Sequence, residues 1–367
     1  MWGRSIKPKL RWDRGSKEAA DPLDSSNNNN SSSSSFNAGI EAVDAMQDLP
    51  RDGSLRVAQD GSGHFRTVQA AIDSLPLPNN KRVVIWVAPG VYRQPVYVPK
   101  QKKLITIRGE DAHKTILTWA NTATSIQHDL SSQVIGTGTF ACGTVIVEGE
   151  DFIAQNITFE NAAPKGSGQA VAIRVTADRC AFYECRFLGW QDTAYLHYGR
   201  QYFRNCYIEG SVDFIFGNAQ VLLEYCHIHC KSDGFITAQS CKSPDEPTGY
   251  VFLRCVITGT GTRPYMHLGR PWQPCARVIF AFTFMDGCIV PAGWNNWNDK
   301  EKERTACFYE FRCTGPGSDV TQRVPWMRKL TDAEAARFLS VDFIDQQRTW
   351  LTRSPLKAPY IPEPISA

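Results

Sequence analysis

A short motif recurs along the middle of the chain and constrains its fold more than any other feature. The motif is a cysteine, any residue, and then Ile, Phe or Val, and Ile157 begins a sixth copy with isoleucine in the cysteine position. Consecutive copies are separated by 28, 21, 20, 29 and 33 residues. Short β-branched and aromatic runs at a period in the twenties indicate a solenoid. The five cysteine copies begin at Cys185, Cys206, Cys226, Cys255 and Cys288.

Turn signals separate short apolar runs along the chain, which predicts strands rather than long helices. One helix is expected before the repeats, over residues 64–76, with Pro76 at its end. A second is expected over 331–344, where Thr331 and Glu334 form a capping box. Strands are predicted at 83–87, 104–109, 144–149, 152–159 and 220–225.

These elements favour an all-β parallel β-helix with short helices capping its ends. An alternating α/β fold needs long amphipathic helices between its strands, and the sequence shows none there. A β-sandwich does not account for the regular spacing of the cysteines. The repeated cysteine position therefore predicts an inward ladder, with neighbouring coils about 4.8 Å apart. Adjacent thiols could reach disulfide distance, but we expect free thiols, since cysteine packs well as a small apolar residue.

Charge and composition limit the classes of function. The chain of 367 residues is 42% hydrophobic and 21% charged, which is typical of a globular protein. Its net charge of +3 comes from the first 17 residues, which carry +5, so the remainder is near −2. We therefore expect no nucleic-acid partner. We also expect no membrane partner, because no run of 18 apolar residues exists.

The composition also divides the chain. Residues 25–35 are almost entirely serine and asparagine, and residues 1–50 are predicted to be a disordered tail. The N-terminus shows no apolar segment of a secretory signal. A catalytic β-helix domain is expected over 51–355, followed by a C-terminal tail over 356–367. Since no Cys-x-x-Cys motif occurs, we expect no metal site.

One carboxylate stands out in the apolar stretch GSVDFIFGNA, residues 210–219. An ionised Asp213 among such neighbours is costly unless a charge or hydrogen bond meets it. Taken alone, the stretch is compatible with a structural turn residue or with an activated nucleophile. Asp192 precedes Asp213 by 21 residues, the same separation as Cys185 to Cys206. Equal separation predicts neighbouring positions on adjacent coils, where the two titrations couple and diverge.

Further polar and aromatic residues complete a predicted site. Arg270 is a permanent cation that could hold Asp213 ionised. Gln169 lies 22 residues before Gln191, so two side-chain amides on neighbouring coils could form an oxyanion hole. Aromatic residues are expected to floor a groove that stacks sugar rings: Phe140, Tyr195, Phe216, Trp272 and Trp294.

Several separated segments resemble the signature segments of pectin methylesterases, in the same order. The resemblance extends from about Leu55 to about Leu351 and implies a right-handed parallel β-helix that hydrolyses methyl esters of polygalacturonate without metal or cofactor. It further implies pectin as a partner, a proteinaceous pectinesterase inhibitor as another, and residence in the plant cell wall. The segments are VAQDGSGHFRTVQAAIDSLP, VAPGVYRQPVYVPK, GQAVAIRV, GWQDTAYLHYGRQYFRNCYIEG, SVDFIFGNA, LGRPW and PAGW.

The resemblance also implies roles for individual residues. Asp213 corresponds to the nucleophile, Asp192 to the proton donor and Gln191 to the group that stabilises the transition state. Gln169 assists Gln191, and Arg270 orients Asp213. The expected substrate contacts are Thr139, Gln169, Arg270 and Trp272.

The sequence departs from the family pattern at Gln94, where the family usually has Glu, and at Ala194, where it usually has Leu. Two alternatives to the esterase stay open at this point. One is a catalytically silent β-helix that binds polygalacturonate or a protein partner. The other is a different polysaccharide enzyme on this solenoid, since a galacturonan hydrolase also uses paired carboxylates.

Overall fold

The computed structural model describes residues 54–261 and 263–351. Both predicted tails, residues 1–50 and 356–367, lie outside the described residues, and the limits of the predicted domain at 51–355 stay a prediction. Between residues 54 and 351, short strands dominate and no helix is long and apolar enough to cross a bilayer.

The strands are numbered in chain order. They are β1 (Ser54–Val57), β2 (Val83–Val87), β3 (Gly90–Arg93), β4 (Val96–Val98), β5 (Ile105–Gly109), β6 (Thr115–Trp119), β7 (Val145–Val147), β8 (Ile153–Gln155), β9 (Thr158–Asn161), β10 (Ile173–Thr176), β11 (Cys180–Tyr183), β12 (Arg186–Leu188), β13 (Ala194–Tyr198), β14 (Arg200–Arg204), β15 (Tyr207–Gly217), β16 (Gln220–Glu224), β17 (His227–Gln239), β18 (Gly249–Leu253), β19 (Val256–Gly259), β20 (Met266–Pro271), β21 (Arg277–Ala281), β22 (Phe284–Met285) and β23 (Cys307–Phe311).

These strands stack as parallel ladders on three faces. The first face has the order β1-β2-β5-β8-β11-β14-β16-β18-β21-β23. The second runs from β3 through β6, β9 and β12 to the first half of β15, and the third runs from β4 through β7, β10 and β13 to its second half. Strand β15 spans two faces: its Ile208 pairs with Phe187 of β12 on the second face, and its Ile215 pairs with Ala194 of β13 on the third. Strand β17 pairs along β15 and bends with it. The predicted parallel β-helix is thereby confirmed.

The interior ladder contains most of the predicted cysteines. Register places Phe187, Ile208, Ile228 and Ile257 above one another, so the residues two positions earlier also stack. The ladder therefore holds Ile157, Cys185, Cys206, Cys226 and Cys255, each at most 1% exposed. All twelve cysteines, which all fall within the described ranges, are free thiols.

The prediction for Cys288 is wrong. Ile257 pairs with Met285, so Thr283 occupies the ladder position on the next coil. The Thr283 hydroxyl donates to the Phe252 carbonyl at 3.3 Å, as the Cys255 thiol does to the Leu223 carbonyl at 3.4 Å. A small residue with a donor thus replaces cysteine there, and the motif at Cys288 lies beyond the end of strand β22.

The described part of the chain contains four α-helices, all short: α1 (Val68–Asp73), α2 (Ser132–Ile135), α3 (Glu301–Thr305) and α4 (Asp332–Ala336). Helix α1 is shorter than the predicted 64–76, because Thr67 is its N-cap and Phe65 forms a bridge with Val57. The predicted capping box of Thr331 and Glu334 is present, but the predicted helix 331–344 is limited to α4 and a 3₁₀ turn at Val341–Phe343.

Candidate active site

The outer side of the third face carries one row of side chains in strict register. Arg174 pairs with Tyr195, Tyr195 with Phe216, Phe216 with Ala238 and Ala238 with Arg270. Because side chains alternate across a strand, the residues between them point into the helix. From Arg174 to Arg270 the row forms the floor of a groove along the solenoid. Beyond Arg174 the same register continues to the buried Ile146 and to Tyr97.

The structure places the two predicted carboxylates at equivalent turns of adjacent coils. Asp192 lies two residues before the start of β13, and its amide donates to the Val212 carbonyl at 3.0 Å. Asp213 lies one coil further, inside β15 where that strand bends. Both residues adopt the left-handed conformation, with φ of 64° and 50°, and both are only 7% exposed. Aspartate and asparagine tolerate this backbone better than most residues, so the turn geometry is well suited to aspartate at both positions.

Arg270 holds Asp213 with two parallel hydrogen bonds. Its Nε donates to Oδ1 at 2.8 Å and its Nη2 to Oδ2 at 2.5 Å. The guanidinium lies between two aromatic rings, 4.0 Å from the centroid of Phe235 and 3.7 Å from that of Trp297. A forked donor stacked in this way fixes both the charge and the orientation of the carboxylate.

The environment separates the proton affinities of the two carboxylates. Burial, followed by the negative charge of Asp213, raises the pKa of Asp192 well above its ordinary value, while Arg270 opposes the shift. Burial also raises the pKa of Asp213, and the hydrogen bonds and charge of Arg270 oppose this, so the net shift is upward but smaller than that of Asp192. At neutral pH the arrangement therefore favours a protonated Asp192 beside an ionised Asp213.

The predicted polar contacts lie on the coils leading up to the carboxylates. The Ala170 amide donates to the Gln191 carbonyl at 3.1 Å, so Gln169 and Gln191 lie on adjacent coils. Gln191 is half-buried and Gln169 is exposed, and within residues 54–261 and 263–351 neither side-chain amide has a hydrogen-bond partner. Both amides are thus available to a ligand. Thr139 is half-buried in a 3₁₀ turn at Gly138–Phe140.

Four of the five predicted aromatic residues line the groove. The rings of Tyr195 and Phe216 stack with centroids 4.3 Å apart, and Trp272 lies 6.1 Å beyond Phe216. Phe140 meets Tyr195 edge-on at 6.2 Å. Trp272 is 36% exposed, which gives the groove one open aromatic face.

The prediction for Trp294 is wrong. Its indole is 1% exposed and stacks on Phe308 inside the helix, with centroids 4.3 Å apart. Its Nε1 donates to a Glu310 carboxylate oxygen at 3.1 Å. A backbone bridge to Gly269 places Trp294 next to the groove strand β20, but the side chain points inward.

Sequence reasoning missed three residues of the groove. Trp297 follows Trp294 by three positions, and Phe235 lies on β17 three positions before Ala238, a residue of the groove floor. Both stack on Arg270. Arg174 was also missed, although it alternates with the inward Ile173 and Val175; its guanidinium lies 3.5 Å from the Phe140 ring centroid. Alternation along β10 was the signal that could have identified it.

Other recesses of the described surface are remote from the carboxylates. One of about 720 Å³ is lined by residues including Arg82, Tyr183 and Trp350, and another of about 630 Å³ by residues including His113 and Tyr207. In the part of the chain that the structure describes, no three His, Cys, Asp or Glu side chains are grouped to hold a metal ion.

Fold and site together define a class: a parallel β-helix whose open aromatic groove carries a carboxylate pair and a fixed arginine, an arrangement suited to covalent hydrolysis along a polymer. Residues 54–347 match the sequence profile of the family described as Pectinesterase. Pectinesterase 31 of Arabidopsis thaliana is 66% identical over 309 residues, which cover 83% of this chain and 98% of that protein.

Solved structures give the same result. The pectin methylesterase from carrot matches with a TM-score of 0.76 and 36% identity, over 83% of this chain and 97% of that chain. The enzyme from Aspergillus niger matches with a TM-score of 0.70 and 30% identity, over 80% and 94%. The chain belongs to the pectinesterase family and is an enzyme of that class. The match also confirms the predicted right-handed β-helix.

Proposed function

We propose that this chain removes methyl esters from polygalacturonate, with Asp213 as the nucleophile and an acyl-enzyme intermediate. The observation that carries the proposal is the bidentate Arg270–Asp213 contact beside a buried Asp192. Family membership supports the substrate class, and a pectin methylesterase that is 25% identical to this chain, with a TM-score of 0.69, is described in complex with a hexasaccharide.

In the first step a carboxylate oxygen of Asp213 attacks the ester carbonyl carbon. The carbonyl oxygen becomes an oxyanion, which accepts hydrogen bonds from the Gln191 and Gln169 amides. Losing one such donor typically raises the barrier by about 3–4 kcal/mol. The intermediate then collapses with cleavage of the bond to the methoxy group. Asp192 gives its proton to the departing oxygen, methanol leaves, and a mixed anhydride with Asp213 remains.

In the second step Asp192, now a carboxylate, takes a proton from water. The resulting hydroxide equivalent adds to the galacturonyl carbonyl carbon, and the bond to the Asp213 oxygen breaks. Asp213 returns as a carboxylate held by Arg270, Asp192 is protonated again, and the new galacturonic acid loses its proton to solvent. The apolar residues around Asp213 lower the local dielectric, which strengthens the Arg270 contact and keeps Asp192 protonated.

Substrate binding is assigned to the groove floor and its rims. The stacked rings of Tyr195 and Phe216, together with the open face of Trp272, provide apolar surface for sugar rings. Thr139, Phe140, Gln169 and Arg270 supply the remaining contacts. We further propose a cell-wall location and, as a partner, a proteinaceous pectinesterase inhibitor, both by family membership alone.

One assay tests the function. Highly methylated pectin is treated with the protein, and both methanol and chain length are measured. The esterase releases methanol without shortening the polymer. Shortened or unsaturated products would indicate a hydrolase or a lyase, and retained binding without product would indicate the silent β-helix.

The matched variant is Asp213→Asn. Asparagine tolerates the φ of 50° at this position, so the fold is expected to persist. Methanol release should fall by several orders of magnitude, because the amide is not a nucleophile. Unchanged turnover in a folded Asp213→Asn protein would refute the assignment.

A further inference from the structure

Two consecutive turns carry the carboxylates, and each is preceded by a stretch of backbone at the same corner of the solenoid. Gly189 and Trp190 precede Asp192 on one coil, and Glu209 precedes Asp213 on the next. The Ser211 amide donates to the Trp190 carbonyl at 2.7 Å and so joins the two stretches. Any change in the spacing of these stretches moves one carboxylate relative to the other.

Lys231, which comes from a third coil, contacts both stretches at once. Its Nζ donates to the Gly189 carbonyl at 3.1 Å and to Glu209 Oε1 at 2.7 Å. The same ammonium lies 3.9 Å from the centroid of the Trp190 ring. Lys231 and Glu209 are both largely buried, so solvent screens their contact less than it screens a surface ion pair.

The corner has little room to rearrange around this contact. A Cβ on Gly189 would lie 2.7 Å from Thr193 Oγ1, and that hydroxyl donates to the Glu209 carbonyl at 2.9 Å. A Cβ on Gly210 would collide with Phe214 and lie 2.9 Å from the Trp190 carbonyl oxygen. The two turns are therefore in close contact, and Lys231 is the cation that closes the corner from outside.

We propose that Lys231 is a positioning residue that sets the separation of Asp192 and Asp213 by binding Gly189, Trp190 and Glu209 together. The inference rests on the proposed function, since it concerns the geometry of that carboxylate pair. Lys231 contacts neither carboxylate in the described structure, so its effect on catalysis passes through the backbone of the two turns.

The test replaces Lys231 with methionine, which keeps the length of the side chain and removes the charge and the donors. A displacement of about 1 Å in a catalytic group lowers rates by up to about 100-fold. We therefore expect kcat of Lys231→Met to fall by about 10- to 100-fold with KM little changed. The two limbs of the pH–rate profile should also move closer together, because more distant carboxylates couple more weakly.

Two further variants separate positioning from general structure. Lys231→Arg keeps the charge and the donors and should restore most of kcat and the width of the profile. Lys165→Met is the matched control, since the Lys165 ammonium lies 5.5 Å from the same Trp190 ring but no hydrogen bond joins it to Gly189 or Glu209 in the described residues. It should behave like the parent. If Lys231→Met unfolds, Glu209→Gln replaces it and is expected to shift kcat and the profile in the same direction.

Three results would contradict a positioning role for Lys231. Parental kcat and pH limbs in Lys231→Met would overturn the inference, as would an equal loss in Lys165→Met or a loss of kcat without a change in the limbs. Failure of the proposed function looks different, because an active Asp213→Asn protein refutes the carboxylate mechanism and this inference together. An inactive Asp213→Asn protein beside an unaltered Lys231→Met protein refutes the inference alone.

Discussion

The two ends of the groove floor carry the same kind of group in different settings. Arg174 at one end has a fully buried side chain and pairs with Glu148 through one hydrogen bond of 2.9 Å. Arg270 at the other end is 20% exposed and pairs with Asp213 through two. Both guanidinium groups stack on aromatic rings. Residue type and position in the row therefore do not tell a structural arginine from one that belongs to the candidate active site.

The two arginines differ in the surroundings of the carboxylate that each one binds. Glu148 accepts a second hydrogen bond, from the Tyr97 hydroxyl at 2.8 Å, so its charge is neutralised within a local network. Burial lowers the pKa of Arg174, and Glu148 opposes that shift. Asp213 instead has a second carboxylate, Asp192, as its neighbour. In the proposed mechanism, the same pairing stabilises the fold at one end and keeps the nucleophilic carboxylate ionised at the other.

Replacing each arginine in turn should give the largest difference between the two ends of the groove floor. Arg270→Met is expected to lower kcat by about 100-fold, the order seen when one preorganised charge-stabilising group is lost. Arg174→Met should change kcat far less but lower the free energy of unfolding by about 3 kcal/mol, because Glu148 is left without its cation. Steady-state kinetics and urea unfolding of both variants make the measurement.

Arg270→Lys is the control for the first of these variants. Lysine keeps the positive charge but lacks the planar fork, so an intermediate kcat is expected if orientation matters as well as charge. Equal losses of kcat in Arg270→Met and Arg174→Met would contradict the distinction between the two ends.

The aromatic residues at the two ends should show a smaller contrast. Trp272→Ala removes an open stacking surface and is expected to raise KM by about fivefold, an aromatic contact being worth about 1 kcal/mol, with little change in Tm. Phe140→Ala uncovers Arg174 and should lower the free energy of unfolding by about 2 kcal/mol, the value of a desolvated cation–π contact. A fall of Tm in Trp272→Ala but not in Phe140→Ala would contradict this difference between the two ends of the groove floor.

Spacing explains why much of this site could be predicted. The 21-residue interval from Asp192 to Asp213 equals the interval from Cys185 to Cys206, and a solenoid converts equal intervals into stacked positions. Strand 83–87 was also predicted at its observed limits. Wherever the same residue type marks the same position on successive coils, the sequence carries the register.

The failures occur where another residue type occupies the ladder or where a side chain points away from the groove. Thr283, which is 28 residues after Cys255, continues the ladder, and Cys288 matches the motif without occupying that position. Trp294 bridges to a groove strand through its backbone while its indole points inward. Neither outcome follows from spacing alone, because both depend on how the connecting segment packs.

We infer that coil stacking brings Asp192 and Asp213 close enough for the charge of one to control the protonation of the other. Carboxyl-carbon NMR of aspartate-labelled protein, with Asp192→Asn used to assign the signal, measures the pKa of Asp192 directly. We expect a pKa well above the ordinary aspartate range in the parent, and a lower one in Asp213→Asn, where the neighbouring negative charge is gone. The same Asp192 titration in both proteins, or an ordinary pKa in the parent, would contradict it.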